Sequence, residues 1–534
     1  MSDGPRGAEL FRELVSQDAA DESRGRAAAL GQVTVADLEA VLHRRGGGDA
    51  RQVVATGLAA SPGVATGVAV FDAWRGLDLV EAGSAVILVR PETSPADEPC
   101  LRVAEGVLTS RGGMASHAAV IARGRGLPAV CGASSLVVGD DEFRTAEGIV
   151  VREGELLSID GSTGEVVLGT LETAAAGHGL DDLHVVLGWA DEVRRGRLGV
   201  WANADTPADA ASARAFGAEG IGLCRTEHMF LGAERLPMLQ AAILAESDTA
   251  ERTALGLLAE VQRADFEALF ETMDGLPVTI RLLDPPVHEF LPDLTALEVE
   301  AATGPMEPSR AGLLAGARRW HEHNPMLGVR GARLGLLRPE LYRAQVRAVA
   351  EAAAAHVGRG GDPQPRLLVP LVTDPAELVS LRAAIESALA EAGGAVPEVR
   401  IGAMVETPRA ALLAGELARH ADFLSFGTND LTQLTFGFSR DDVGRLLERY
   451  LGDGLLPVDP FASLDADGVG ELVSLAVARA RSAHPGVSIG LCGEHGADPA
   501  SLRFLLGAGV DYVSCSPFRV PVARLAAAQA VLGE

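Results

Sequence analysis

From about residue 198 onward, the chain alternates two kinds of apolar pattern. Short, glycine-flanked apolar runs are separated by longer stretches in which apolar residues recur every three or four positions. The short runs read as strands: LGVWANAD, EGIGLCRTE, PVTIRLLD, NPMLGVRG, RLLVPLVTD, VRIGAMVET, FLSFGTND and SIGLCGEHG. Longer stretches such as DPAELVSLRAAIESALAEAG read as amphipathic helices. Eight strand–helix units predict a (β/α)8 barrel over 198–534, with a doubly wound open sheet as the alternative. The charge pattern favours the barrel. Each run carries a charged residue at or near its end (Asp205, Arg225, Asp284, Arg330, Asp374, Glu406, Asp430, Glu494), where barrel enzymes build their sites.

Upstream, over 53–168, the pattern changes to β-like runs broken by glycine: GVAVFDA, SAVILVR, GIVVREG and GEVVLG. Helices around Leu101 and Ala118 lie between them, which predicts a compact mixed α/β domain. Residues 169–197 read as a connector. The first 52 residues read as a leader of helix, loop and helix, too short for a domain of its own; Thr34 is the candidate N-cap of the second helix and GGGD ends it. The whole chain is therefore of the α/β class.

Composition narrows the function. Aromatic residues make up only 4%, so the cores must be built from Ala, Val and Leu. A formal net charge of −27 disfavours nucleic acid and anionic membranes as partners. All 46 basic residues are arginine, which removes a Schiff-base lysine and the lysine of a Walker-type phosphate loop. The five cysteines are scattered and form no CxxC pair, arguing against a disulfide framework or a structural zinc site. The N-terminus has no apolar signal region, and no apolar run reaches the roughly 18 residues that span a bilayer. A cytoplasmic location is expected.

Candidate chemistry lies at the strand ends. Glu406 in AMVETPRA and Asp430 in FGTNDLTQ end consecutive runs, six and seven, and could share one Mg²⁺, though each could equally cap the next helix. Arg225, Arg281 and Arg330 lie at or near the ends of runs two, three and four, and Arg440 follows run seven. Guanidinium forks suit phosphate and carboxylate oxygens, whereas an isolated arginine is more often a surface ion pair. Cys492, ending run eight, is either a proton donor or a small buried apolar residue. In TSRGGMASHAAVIARGRGLPAVCG, Gly112 and Gly113 allow a tight turn and Ser116 can cap a helix, which puts His117 in its first turn. A phosphoryl group on that ring would meet the positive end of the helix; an ordinary surface histidine is the plainer alternative.

GGMASHAAVIARGRGLPAVCG resembles the phosphohistidine motif of the phosphoenolpyruvate (PEP)-utilising enzymes. GIGLCRTEHMF, VTIRLLDPPVHEFLP, NPMLGVRGARLG, SFGTNDLTQLTFGFSRDD and GLCGEHGADP resemble their dikinase branch, and the similarity runs from about residue 53 to the end. The resemblance implies a swivelling phosphohistidine β/β/α domain followed by a TIM barrel that binds PEP or pyruvate with Mg²⁺. It implies His117 as phosphocarrier and Cys492 as the acid that protonates the enolate. It further implies Glu406 and Asp430 as metal ligands, and Arg225, Arg281, Arg330, Asn429, Thr428 and Arg440 as substrate-binding residues. It also implies a homodimer. The chain begins near where that branch's linker starts, so a separate nucleotide-binding subunit, or a phosphocarrier protein, is the expected partner. Ala115 stands where the branch carries a regulatory threonine, so that control is expected to be missing. An Enzyme I-like PEP-dependent protein phosphotransferase and a non-catalytic PEP-sensing protein are the alternatives.

Overall fold

The computed structural model describes residues 7–18, 24–43, 45–46, 52–94, 97–113, 116–171, 173–174, 179–230, 235–245 and 247–533 apart from 441. Ala115 lies outside them.

The leader forms three helices, α1 (Ala8–Asp18), α2 (Arg24–Gln32) and α3 (Val35–Leu42), where two were expected. The middle one escaped notice because RGRAAALGQ has almost no apolar face. Thr34 caps α3, accepting from the Asp37 amide while Asp37 reaches back to the Thr34 amide. Leu10, Phe11, Leu30 and Leu38 are fully buried against α7 (Leu180–Arg194) and the last helix, Val520–Leu532. Each such side chain contributes roughly 2 kcal/mol, so the leader is part of the fold.

The next domain is built on an eight-stranded mixed sheet. Its strands are β1 (Val53–Thr56), β2 (Leu58–Ser61), β3 (Val64–Val70), β4 (Val86–Arg90), β5 (Gly106–Thr109), β6 (Ala129–Cys131), β7 (Leu156–Asp160) and β8 (Glu165–Leu168), in the order β1-β8-β7-β3-β4-β5-β6-β2. Strands β3 to β6 run parallel, and helices α4 (Ala73–Glu81), α5 (Glu98–Leu101) and α6 (His117–Arg125) make the crossovers. A small three-stranded antiparallel sheet adds Val137–Val138, Glu142–Arg144 and Val150–Arg152.

A closed parallel barrel follows: β9 (Gly199–Asn203), β10 (Ile221–Arg225), β11 (Pro277–Arg281), β12 (Gln364–Val369), β13 (Arg400–Val405), β14 (Phe423–Gly427), β15 (Ser488–Cys492) and β16 (Tyr512–Cys515). The strand count holds, but one assignment is corrected. NPMLGVRG is not a strand: Pro325–Leu327 makes a 3₁₀ turn, and a helix starts at Gly331. Proline at the first turn position and two glycines suit that course better than a ladder strand. The missing strand is Tyr512–Cys515, which pairs with β9 and closes the barrel. Arg330 therefore lies in the long β11–β12 connection. Glu406 and Asp430 follow strands five and six, and Cys492 ends strand seven.

The barrel's N-terminal end is plugged. Arg366 of β12 lies 3.8 Å from the Phe423 ring centre, 4.9 Å from Trp201 and 5.3 Å from Tyr512. In a chain this poor in aromatics, three rings around one buried guanidinium seal that end. The opposite end, where the strands finish at their C-termini, is the end at which barrels of this kind open.

Candidate active site

At that open end, one carboxylate organises two guanidiniums. Arg330 gives Nε and Nη2 to the two oxygens of Asp284, at 3.2 and 2.6 Å, and Arg281 Nη1 lies 2.9 Å from Asp284 Oδ2. Arg281 also donates to Glu227, and Arg330 Nη1 to Asp430 Oδ1 at 2.9 Å. All but Asp430 are nearly inaccessible. Burial works to raise Asp284, yet Arg281 and Arg330 hold it below the usual carboxylate range. Burial works to lower both arginines, yet Glu227 and Asp284 hold Arg281 above its ordinary range, and Asp284 and Asp430 do the same for Arg330.

Arg225 belongs to a neighbouring group. Its backbone N–H donates to Asp205 Oδ1 at 2.7 Å, its Nη1 lies 3.5 Å from Asp205 Oδ2, and His228 Nδ1 lies 2.8 Å from the same oxygen. Arg440 does not join the Asp284 group. Its charge acts on Asp459 and His495, and on Arg123 of the preceding domain, which puts it on the side where the two domains meet.

Glu406 is buried, and its Oε1 accepts from the Leu371 N–H at 2.5 Å. Burial first, then Asp430 and Asp284, push this carboxyl well above its ordinary range. A cation beside two carboxylates would relieve that repulsion, and Asn429 Oδ1, buried with no hydrogen-bond partner, offers a further oxygen. An all-oxygen set with one or two carboxylates suits Mg²⁺, so the residues fit the ion. Among the described residues no group of three or more His, Cys, Asp or Glu forms a ready metal cage, so other ligands would come from substrate and water. Arg281 Nε is likewise a buried donor without a partner.

Cys492 packs with Leu223, Leu368, Met404 and Phe423, and its Sγ lies 3.5 Å from the Phe426 carbonyl. Burial pushes the thiol up to about 11. Thr428 is buried, and its hydroxyl donates to the Cys492 carbonyl at 3.4 Å.

His117 is the first residue of α6, and Ser116 caps the helix by accepting from the Ala119 N–H at 3.4 Å. The turn before it needs glycine: Gly112 has φ of +99°, and a Cβ there would meet the Ser116 Cβ at 2.8 Å. Thr93 Oγ1, after β4, lies 3.2 Å from His117 Nδ1 and orients the ring. This domain sits over the barrel's open end. Arg125 lies within Coulombic reach of Asp205 and Asp209, and Glu98 within reach of His228. Gly126, closing α6, abuts the Phe518 ring in the turn after β16. A cleft of about 460 Å³ beside this contact is lined by Glu39, Arg123, Glu494 and Arg519, among others.

The strand-end pattern pointed to Arg281, Arg330, Glu406 and Asp430, which the fold brings together. It singled out no role for Glu227 or Asp284, the acids that hold the arginines, nor for Asp205, His228, Thr93 and Leu371. Asp205 and Asp284 already stood in that strand-end pattern, and the place of Asp284 three residues beyond Arg281 could have suggested its role. Leu371 left no signal.

A barrel whose open end gathers buried arginines and carboxylates, covered by a β-rich domain with a histidine at a helix start, defines a class of two-domain enzyme. Family profiles agree. The PEP-utilising enzyme PEP-binding domain matches residues 181–532, and the PEP-utilising enzyme mobile domain matches residues 83–164. The chain belongs to the PEP-utilising enzymes. Within them it is similar to pyruvate, phosphate dikinases. It is 49% identical over 520 residues to pyruvate, phosphate dikinase 1 of Arabidopsis thaliana, covering 95% of this chain and 53% of that one. It is 49% identical over 514 residues to the Rhizobium meliloti (strain 1021) enzyme, covering 94% and 56%. The chain thus spans about half the length of these relatives. Among solved structures, a citrate lyase from Burkholderia xenovorans LB400 aligns over 53% of this chain and 75% of that one, at 15% identity and a TM-score of 0.27, too weak a likeness to bear on function.

Proposed function

We propose that this chain is a phosphotransferase that moves a phosphoryl group between PEP and His117, forming pyruvate, as the dikinase-like half-reaction. The observation that carries this reading is the Arg281–Asp284–Arg330 group, buried at the C-terminal end of the barrel strands in a chain whose histidine-bearing domain contacts the same end near Asp205 and Phe518. Asp284 and Glu227 pre-set both guanidiniums, so binding a phosphate and a carboxylate costs little reorganisation.

In the transfer, the P–O bond of PEP breaks and a P–N bond forms at His117 Nε2, the nitrogen turned away from Thr93. The electron pair left on the substrate oxygen delocalises as the enolate of pyruvate. Cys492 then gives its thiol proton to the methylene carbon, and water returns a proton to sulfur. A thiol pushed up to about 11 stays protonated at neutral pH, as a donor must. Glu406 and Asp430, with Asn429 beside them, are the residues that would hold Mg²⁺, which when bound neutralises charge developing on the substrate oxygens. Arg225, Arg440 and Thr428 complete the substrate-binding set in this reading, Thr428 from beneath through its bond to the Cys492 carbonyl. The other exchange partner of His117 is a nucleotide-binding unit or a phosphocarrier protein.

Incubating the purified chain with Mg²⁺ and [³²P]PEP tests this. Acid-labile label on protein, absent in His117→Ala, with pyruvate in solution in equal amount, is expected. Unlabelled wild-type protein with no pyruvate would sink the reading.

A further inference from the structure

Leu371 is the one non-glycine residue among the described residues whose φ falls in the left-handed region, at +51°. Leucine has no side-chain hydrogen bond to ease that conformation, and such residues persist only where the surroundings force them. Here they do. The side chain is buried. The Ala332 N–H donates to the Pro370 carbonyl at 3.0 Å, and Gly331 packs so closely that a Cβ there would meet the Leu371 Cβ at 2.7 Å. What this backbone achieves is an N–H aimed at Glu406 Oε1, 2.5 Å away. The other Glu406 oxygen is pressed against Gly427, where a Cβ would stand 2.5 Å from Oε2. The carboxylate is held between an amide and a bare glycine.

We infer that Leu371 is a positioning residue. Its left-handed backbone aims the amide that fixes Glu406, and the helix Gly331–Leu337, which locks Leu371, has Arg330 as its N-cap. Two connections packed together, the one before β12 and the one after it, therefore set both the substrate-side guanidinium and the metal-side carboxylate. The inference rests on the proposed function in taking Glu406 as a metal ligand.

Two substitutions separate positioning from packing. Leu371→Val keeps an apolar side chain but is β-branched and resists the left-handed region; Leu371→Asn loses apolarity but tolerates it. Mn²⁺ affinity of the full, unphosphorylated chain without PEP is measured by electron paramagnetic resonance, with the thermal midpoint of each variant alongside. Leu371→Val is expected to bind Mn²⁺ at least tenfold more weakly, and Leu371→Asn to stay within threefold of wild type despite a lower midpoint. Val at wild-type affinity, or Asn weaker than Val, overturns the inference. Wild-type protein that binds no Mn²⁺ refutes the metal assignment instead. Metal-free crystal structures then decide: Glu406 unmoved in Leu371→Val overturns positioning, and Glu406 released from residue 371 upholds it.

Discussion

Arg330 and Asp430, one hundred residues apart in sequence, meet at 2.9 Å across the open end of the barrel. The contact joins the arginine side of the site to the carboxylate side, because the same guanidinium also forks onto Asp284. Lysine carries the charge but cannot span both partners. Arg330→Lys is therefore expected to stay folded, with a thermal midpoint within a few degrees of wild type. Its second-order rate constant for labelling His117 from PEP should fall about a hundredfold or more, equivalent to about 3 kcal/mol. Single-turnover labelling with calorimetry checks both; an unchanged labelling rate would remove Arg330 from the substrate site.

Cys492→Ala separates proton transfer from phosphoryl transfer. The thiol is buried and raised to about 11, so between pH 6 and 9 it is a donor whose protonation does not change. The variant should lose at least a hundredfold in the Mg²⁺-dependent exchange of pyruvate methyl hydrogens with D₂O, followed by NMR. Metal affinity should stay within twofold. Equal loss of exchange and metal binding would mark Cys492 as a packing residue.

The barrel was legible because its strands are short, apolar and closed by charged residues, a pattern that parallel packing and the C-terminal site both impose. Its register along the chain was less so. NPMLGVRG has the same apolar, glycine-flanked look as a buried strand, and periodicity cannot separate such a run from a turn leading into a helix. YVSC is only four residues long and ends on an uncharged cysteine, so nothing local marks it as the closing strand. Within the site, residues proposed to touch substrate or metal carry conspicuous chemistry and stood out. The roles of residues that act through geometry did not: Asp284 is joined to Arg330, 46 residues away, and the role of Leu371 lies in a backbone angle.

Docking of the histidine domain rests on a contact that a single carbon can disturb. A Cβ on Gly126 would lie 2.7 Å from the Phe518 ring, and φ there is +64°. Gly126→Ala carries about 1 kcal/mol of backbone strain in addition to the clash. PEP-driven labelling of His117 should slow about tenfold, while pyruvate hydrogen exchange, which needs only the barrel, should not change. Removing the ring in Gly126→Ala/Phe518→Ala should restore most of the labelling rate. No recovery in the double variant would show that the clash with Phe518 is not what slows the labelling.

Buried thiols also set how the protein meets alkaline conditions. Burial pushes Cys100 and Cys492 up to about 11 and Cys515 up to about 12. Below the unfolded thiol value of roughly 8.5, both states are protonated and the folded state keeps its full advantage. As pH rises past that value, the unfolded chain ionises while the folded one does not, so stability falls until the folded thiols titrate near 11 to 12. Each unit of difference is worth about 1.4 kcal/mol, so three such thiols imply a loss of several kcal/mol. Tyr342 and Tyr512, raised by burial as well, steepen the fall at its upper end. The urea midpoint should be level from pH 7 to about 8.5 and drop clearly by pH 10.5. Cys515→Ala should flatten that drop, because alanine fills the site without a proton to hold. A midpoint level to pH 10.5 in the wild type would mean that water reaches these sulfurs.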